Sequence, residues 1–454
     1  MQTLPEYVIK FMEVFSQKDY KIYVVGGAVR DLLLGKETKN WDFTTNATPE
    51  QIQEMFPNAF YHNTFGTVSI PFTDSIIYEV TPFRKESNYS DTRHPDNIEW
   101  AQTLEEDLAR RDFTINAMAL TVNTKTESNP DYKIIDLYKG QEHLKQQMIV
   151  AVGNPDIRFA EDALRLMRAV RLAAQLGFLI EEKTRLSIQK NAELITKISW
   201  ERIRDELLKM LESDHPAEGI LFLHNTGLLK YILPEVELCF LVPQKSPKRH
   251  HIYDVGTHLV MSLKHCPSTD VITRLATLLH DIGKEKTFRR DEETGIITFY
   301  NHEVVGEKMT AQIADRLRLS NEQKKKLVTL VAKHQFTVSE LQTDKAVKRF
   351  IREVGIEYVD DMLAVRTGDR IGSGATPTSW RLELFKKRLT EVQKEPFKVT
   401  DLKIDGNDVM QLLQIKPGPK IGTVLKSIFE KVENGELPNE RDLLLKQIEA
   451  YKNE

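Results

Sequence analysis

Gly26-Gly27-Ala28-Val29-Arg30-Asp31, followed by Asn40-Trp41-Asp42-Phe43, is the stretch on which the reading of this chain turns. An apolar strand, Tyr23 to Val25, runs into two glycines that let the backbone approach a polyphosphate closely, and an apolar helix start (Val29, Leu32, Leu33, Leu34) follows. A carboxylate, Asp42, then returns on an edge of the same sheet. Phosphoryl transfer assisted by two metal ions needs clustered carboxylates, and Asp-x-Asp on a strand supplies two on one face because side chains alternate. Here the first of those positions is Asn40, a neutral amide.

Outward from this stretch, strand-like runs dominate up to about residue 150: Lys21 to Val25, Trp41 to Thr44, Thr67 to Pro71, Ile76 to Thr81, Ala117 to Val122 and Tyr132 to Asp136. Helical segments interleave them, which predicts an α/β head. From Asp156 onward Gly and β-branched runs thin out and amphipathic helices succeed one another, with breaks near Pro243 to Pro247 and Thr376 to Thr378. The class is therefore α+β: an N-terminal α/β head and an elongated all-α remainder. No internal repeat or low-complexity tract interrupts it.

The chain has 454 residues, 41% of them hydrophobic, enough for about three cored domains. Cys239 and Cys266 stand without CxxC spacing, so neither a disulfide framework nor a thiolate zinc site is indicated. No apolar run reaches membrane-spanning length, and Glu6, Lys10 and Glu13 interrupt the first residues, so a cytoplasmic protein with no membrane partner is expected. With a net charge of −4, affinity for nucleic acid must come from local basic patches. Candidates are Arg110 with Arg111, the helix carrying Arg165, Arg168 and Arg171, and Lys245 to Arg249.

Four further groups of residues carry chemistry. Glu79 lies in the apolar run Ile76 to Val80, where a carboxylate is costly unless it is paired, with Arg30 or Arg84, or lines a metal site with Asp42. In Arg110-Arg111-Asp112-Phe113-Thr114-Ile115-Asn116-Ala117-Met118, adjacent arginines project donor forks suited to phosphate oxygens. Asp112 can accept from a ribose hydroxyl or orient an arginine, and Asn116 offers a neutral donor. The segment Arg158 to Arg171 reads as one helix in which Asp162 and Arg165 share a face, beside Glu161. A carboxylate accepting from an exocyclic amine beside a guanidinium donating to ring acceptors would select cytosine and adenine over guanine and uracil. Finally His258, His280-Asp281, His302, His334 and Asp369 form an imidazole and carboxylate set suited to Mg²⁺, Mn²⁺, Ni²⁺ or Fe²⁺.

These motifs resemble the nucleotidyltransferase superfamily that includes DNA polymerase beta, and more narrowly the class II bacterial CCA tRNA nucleotidyltransferases and poly(A) polymerases. The resemblance covers essentially the whole chain in the order nucleotidyltransferase head (1–150), RNA-binding neck (151–240), body with an HD domain (241–390) and tRNA-binding tail (391–454). It implies addition of C, C and A to the tRNA 3′ end from CTP and ATP, without a template and with Mg²⁺ in the head. Asp42 would bridge two metal ions, with Asn40 a weakened second ligand and Glu79 a third acidic member. Gly26, Gly27 and Arg30 would hold the triphosphate, Arg111 and Asp112 the sugar-phosphate, and Asp162 with Arg165 the base, while Arg110, Asn116, Glu161, Arg168 and Arg171 would also bind the nucleotide.

Ile135 to Gly140 resembles the family's link from head to neck, a strand ending in a tight glycine turn. The polar stretch Lys85 to Asn97 resembles the loop needed for switching to ATP. Ile404 to Val409 and Lys416-Pro417-Gly418-Pro419 look like the family's tail, where a turn before a helix is suited to phosphate. Leu278 to Lys284 resembles the HD phosphohydrolases, with His258, His280, Asp281 and Asp369 matching the primary ligands of a divalent metal (Ni²⁺, Mn²⁺ or Mg²⁺) and His302 and His334 available for a second. Partners implied are tRNA, CTP and ATP, not DNA. An A-adding enzyme or poly(A) polymerase, a chain that is chiefly an HD phosphohydrolase, and a non-catalytic tRNA binder remain as alternatives, the last because Asn40 replaces a carboxylate.

Overall fold

Alternating apolar residues in Ile22–Val25 (β1), Asp42–Thr45 (β2), Phe60–His62 (β3), Thr67–Thr73 (β4) and Ile76–Pro82 (β5) make one face of a sheet that must be covered. A hairpin, Arg84–Ser87 (β6) with Asn97–Trp100 (β7), stands apart from it, and Met118–Asn123 (β8) and Asp131–Asp136 (β9) complete it. Its seven strands run β3-β4-β5-β2-β1-β8-β9, so β2 occupies the centre and not the edge expected from sequence. β2 pairs antiparallel with β1 and parallel with β5. The six strand-like runs of the sequence all belong to this sheet; β3, only three residues long, carried too little pattern to be seen.

The computed structural model describes residues 4–38, 40–62, 66–73, 76–87, 97–123, 131–245, 253–392, 399–433 and 436–453. Within it the chain divides into two units, Met1–Leu241 with Ile313–Leu319, and Val242–Gln312 with Ser320–Glu454. Most of the stretch Lys85 to Asn97 and of the basic patch Lys245 to Arg249 lies outside the described residues. No described helix is long and apolar enough to cross a membrane.

In the first unit, helix Glu6–Ser16 presents Val8, Phe11, Met12 and Phe15 at helical spacing to the sheet. Phe11 meets Phe43 at 4.8 Å and Tyr78 at 4.5 Å between ring centroids, tying that helix to β2 and β5. Helix Pro49–Met55 starts with a capping box, Thr48 and Gln51 each bonding the other's backbone. Beyond the sheet, helices Leu164–Leu176 and Trp200–Glu212 bury apolar faces that include Met167, Val170, Leu207 and Met210.

Two sequence expectations change here. The segment Arg158 to Arg171 is two helices, Pro155–Glu161 and Leu164–Leu176, with Asp162 extended between them (φ −136°, ψ 105°). Its side chain accepts from the backbone N–H of Leu164 at 3.0 Å, so Asp162 starts the second helix and does not share a helical face with Arg165. At the end of β9, Asp136 accepts from the N–H groups of Gly140 and Gln141 at 2.7 and 2.9 Å. The left-handed residue of that turn is Lys139 (φ +61°), whereas Gly140 is required for space: a Cβ there would collide with the Thr114 carbonyl oxygen.

Among its described residues the second unit is helical apart from the two-stranded pair Arg289–Arg290 and Ile297–Thr298. Helices Val255–Lys264, Val271–Leu279, Asn321–Lys333 and Val359–Gly372 form its first bundle. Leu382, Phe385 and Leu389 of helix Trp380–Val392 pack with Val347 and Ile351 in a second core. Residues 399–453 build a third around Val409, Val424, Ile428, Leu444 and Ile448. In that region helix Gly406–Leu413 is capped by Asp405 and Asp408, and helix Pro419–Glu433 begins at the second proline of Pro417-Gly418-Pro419.

Candidate functional site

A cleft of about 360 Å³ opens over the centre of the head sheet. Its floor is built by register: Asp42 and Glu79 are directly paired across the parallel strands β2 and β5, and both side chains line the cleft. Among the described residues neither forms an ion pair or a side-chain hydrogen bond. The Asp42 carboxyl is raised by the protein crowded around it; Arg111 opposes the rise and Glu79 adds to it. Two oxygen-donor carboxylates side by side, neither in an ion pair among the described residues, fit a hard divalent ion such as Mg²⁺.

Gly26 (φ +72°) seals one side: a Cβ on it would stand 3.4 Å from Nη1 of Arg111 and 3.5 Å from Oδ2 of Asp42. That position needs glycine for its conformation, since those distances are ordinary van der Waals contacts. Asn40 lies ahead of β2, and the exposed, buried, exposed sequence of Asn40, Trp41 and Asp42 keeps it on the Asp42 side of the chain. Asn40 is not among the side chains that line the cleft.

The opposite wall is a set of arginines held by acids. Arg110 donates from Nε and Nη2 to Oδ1 of Asp107 at 3.0 and 2.7 Å, and Arg111 donates to Oδ2 of the same carboxylate at 3.2 Å. Asp107 is fully buried; burial would raise its carboxyl, but the two guanidiniums outweigh that and hold it below the usual range. Asp112 accepts from the Phe113 N–H at 2.8 Å and from Arg168 Nε at 2.7 Å, and here too the arginine overrides burial and lowers the carboxyl. Asp162 accepts from Arg202 at 3.0 Å. Arg165 is anchored by Glu161 at 2.6 Å and by the carbonyl oxygens of Arg158 and Arg110 at 3.1 and 3.0 Å.

The cleft thus gathers Asp42, Glu79, Arg110, Arg111, Asp112, Asp162, Arg165 and Arg168 of the sequence-predicted set. It does not gather the rest as lining. Arg30 pairs with Asp31 at 2.8 Å and donates to Oδ1 of Asn116 at 2.9 Å, so those two expected ligands hold each other, and the Glu79 ion pair with Arg30 is not made. Glu161 bridges Arg158 and Arg165, and Arg171 is held by Glu206 at 2.5 Å. Asp107 and Arg202 were missed. Asp107 had a signal, its i, i+3 and i, i+4 spacing to the arginines; Arg202, 40 residues from Asp162, had none.

The second unit holds a buried histidine and aspartate cluster. His258 Nε2 is 3.1 Å from His280 Nε2 and 3.4 Å from Asp369 Oδ1; Asp281 Oδ1 is 3.1 Å from His302 Nε2 and 3.5 Å from His334 Nε2. All six expected residues therefore come together, as two triads: His258, His280 and Asp369, and Asp281, His302 and His334. Nδ1 of His280, His302 and His334 lies 2.7 to 2.8 Å from a carbonyl oxygen three residues earlier, which turns each Nε2 toward the carboxylates. Burial would lower His280, but Asp281 and Asp369 outweigh it and push it up to about 10. The buried carboxylates demand positive charge, and the nitrogen and oxygen set fits a transition-metal or magnesium ion.

Glycines make the approach of these elements possible. A Cβ at Gly283 would overlap the His302 carbonyl oxygen, and one at Gly368 would stand 2.6 Å from the Ser262 carbonyl oxygen. Lys284 Nζ, 2.5 Å from Asp281 Oδ2 and 2.7 Å from Gln244 Oε1, completes the cluster. A cavity of about 660 Å³ leads to it.

Comparison with known proteins agrees with this architecture. The family profile "Poly A polymerase head domain" matches residues 22–150, "Probable RNA and SrmB- binding site of polymerase A" matches 177–239, and that of tRNA nucleotidyltransferase domain 2 matches 288–448. The chain is 33% identical to a CCA-adding enzyme of Levilactobacillus brevis over 96% of this chain and 95% of the relative. It is 32% identical to one of Lactococcus lactis subsp. lactis, over 99% and 98%. The Bacillus stearothermophilus CCA-adding enzyme solved with CTP superposes with a TM-score of 0.73 at 26% identity, covering 100% of this chain and 98% of that one. Head, helical remainder and full-length similarity concur, and the chain belongs to the CCA-adding enzyme family of nucleotidyltransferases.

Proposed function

We propose that this enzyme adds C, C and A to the 3′ end of tRNA, from CTP and ATP and without a nucleic-acid template, by two-metal nucleotidyl transfer in the head cleft. The observation that carries the proposal is the paired Asp42 and Glu79 beneath an arginine wall that also presents Asp162 and Arg165. Asp42 would hold the divalent ions, with Glu79 beside it and the Asn40 amide as a weaker ligand. Bound Mg²⁺ supplies charge stabilisation at the phosphoryl oxygens. The terminal 3′-hydroxyl gives up its proton to solvent as its oxygen forms a bond to the α-phosphorus, the bond from that phosphorus to the bridging oxygen of the β-phosphate breaks, and pyrophosphate leaves.

Asp107 fixes Arg110 and Arg111 before substrate arrives, so their orientation costs little when phosphate binds. Asp112 and Arg168 face the sugar and phosphates. Asp162 retains free lone pairs for the amine of cytosine or adenine, and Arg165 donates to the neighbouring ring acceptor. The neck (151–240) and the tail (391–454) would carry tRNA, in keeping with the RNA-binding and tRNA nucleotidyltransferase profiles matched there. Cys239 and Cys266, both buried and in no disulfide among the described residues, suit a reducing cytoplasm.

The histidine and aspartate cluster supports a second activity, hydrolysis of phosphoesters such as a terminal 2′,3′-cyclic phosphate, in the manner of an HD domain (body, 241–390). A bond forms from the water oxygen to phosphorus, that to the 2′-oxygen breaks, and the water proton ends on that oxygen. His258, His280, Asp281 and Asp369, with His302 and His334, would hold Ni²⁺, Mn²⁺ or Mg²⁺ for this step. The test of both readings supplies tRNAs lacking CCA, CA or A with labelled CTP and ATP and sequences the products, then assays a 2′,3′-cyclic nucleotide with each metal. Failure to extend any tRNA overturns the first reading. Equal hydrolysis by Asp281→Ala, or none by wild type, overturns the second.

A further inference from the structure

Beside the cavity that leads to the histidine and aspartate cluster lies a second cavity, of about 300 Å³, which the chemistry above does not use. Arg366 lines both. The second cavity adds Arg370, Trp380 and Arg381. Arg370 donates to the carbonyl oxygens of Thr376 and Thr378 at 3.1 and 3.2 Å, partners that fix its direction and, among the described residues, leave its charge without an acidic partner. The carboxylate of Asp369 stands 4.0 Å from Arg366, at the limit of an ion pair. Arg381 differs: Glu340 neutralises it through bonds of 2.6 and 3.1 Å, and its guanidinium lies 5.1 Å from the centre of the Trp380 ring. Trp380 is 62% exposed although it lines a cavity.

A phosphate and a base are what this arrangement fits. Two guanidiniums, Arg366 with only the 4.0 Å contact to Asp369 and Arg370 with no acidic partner among the described residues, attract a phosphodiester, and an indole braced by a neutralised arginine offers a stacking surface that any base can use. We infer that the second cavity is a subsite for the penultimate nucleotide of an RNA 3′ end. Its phosphate lies between Arg366 and Arg370, its base lies on Trp380, and the terminal phosphoester thereby reaches the cluster. The inference rests on the phosphohydrolase reading of that cluster and adds its substrate class: an RNA end of two or more nucleotides and not a free nucleotide.

The test compares, in Mn²⁺, kcat/KM for an RNA trinucleotide ending in a 2′,3′-cyclic phosphate with that for a mononucleoside 2′,3′-cyclic phosphate. One stacked base with its phosphate should give the full-length enzyme a preference of about tenfold or more for the trinucleotide. Arg370→Ala and Trp380→Ala should bring the ratio toward parity, and Trp380→Phe should restore it. A second measurement needs no turnover: fluorescence anisotropy of a 5′-labelled trinucleotide carrying a 3′-phosphate, in EDTA, with weaker binding expected in Arg370→Ala. Parity in the wild type, or variants that keep the preference, overturns the subsite. If the wild type hydrolyses neither substrate, the phosphohydrolase reading fails, and unchanged anisotropy in Arg370→Ala then overturns the subsite as well. Melting temperature is the control for folding.

Discussion

Asp42 and Glu79 stand opposite each other in register on the parallel strands β2 and β5, at the centre of the head sheet. This pairing, and not the order of residues along either strand, joins two carboxylates 37 positions apart at the floor of one cleft. Asp42→Ala should therefore abolish nucleotide incorporation, by at least a thousandfold, while tRNA affinity changes less than threefold. Incorporation near the wild-type rate, measured by labelled-CTP addition, would remove Asp42 from the site.

Asn40 stands two residues before Asp42 on the same side of the chain. A neutral amide in place of a carboxylate costs several kcal/mol of charge stabilisation, roughly a thousandfold in rate at about 1.4 kcal/mol per decade. Asn40→Asp should accordingly raise kcat for incorporation. A rate that stays level or falls shows that this side chain does not serve a metal ion.

Base choice should depend on Asp162, which lies between two helices and pairs with Arg202 on a third. Asp162→Ala is expected to erode discrimination of CTP and ATP against UTP and GTP more than it raises KM for the correct nucleotides. Arg202→Ala frees the Asp162 carboxylate without removing it and should lower discrimination to a smaller extent. Misincorporation scored by product sequencing decides; unchanged selectivity in both variants places the base reader elsewhere.

Buried Asp107 predicts a pH dependence. Its carboxyl is held below the usual range in the fold, so its contribution to stability is present above pH ~4, the unfolded value, and disappears as pH falls through the folded value. Asp107→Asn leaves Arg110 and Arg111 without their anchor and should destabilise the head by about 3 kcal/mol at neutral pH. The gap between variant and wild type should narrow as pH falls below the ordinary carboxylate range. Denaturant melts across that range check both the size and the sign, and a gap that widens in acid contradicts the assignment.

Gly283→Ala should disrupt the cluster in the second unit, because the added methyl overlaps the backbone of His302. Forcing that contact costs about 1–3 kcal/mol or more and separates His302 from Asp281. The expected result is a lower melting temperature together with a smaller stabilisation by Mn²⁺ than in the wild type. A variant stabilised by Mn²⁺ as strongly as the wild type would show that His302 is not needed for metal.

Local physics made much of this protein legible without coordinates. Period-two apolar patterns marked every strand of the head sheet except Phe60–His62, because alternation is visible only where a strand is long enough to repeat. The Arg110 to Met118 motif and the ordered series His258, His280, Asp281, His302, His334 and Asp369 named residues that the structure brings together, Arg110 to Asp112 on one wall of the head cleft and the histidines and aspartates in one buried cluster. Tertiary structure decided what each side chain touches. Arg30 meets Asn116 across 86 positions, Asp162 breaks a helix to meet Arg202, and β2 lies at the sheet centre. Periodicity reports which face of an element is buried, but partner choice depends on register between strands and on how closely helices approach. In the second unit that approach is set by Gly283 and Gly368, whose missing Cβ atoms leave the space that brings His302 to Asp281 and Asp369 to His258.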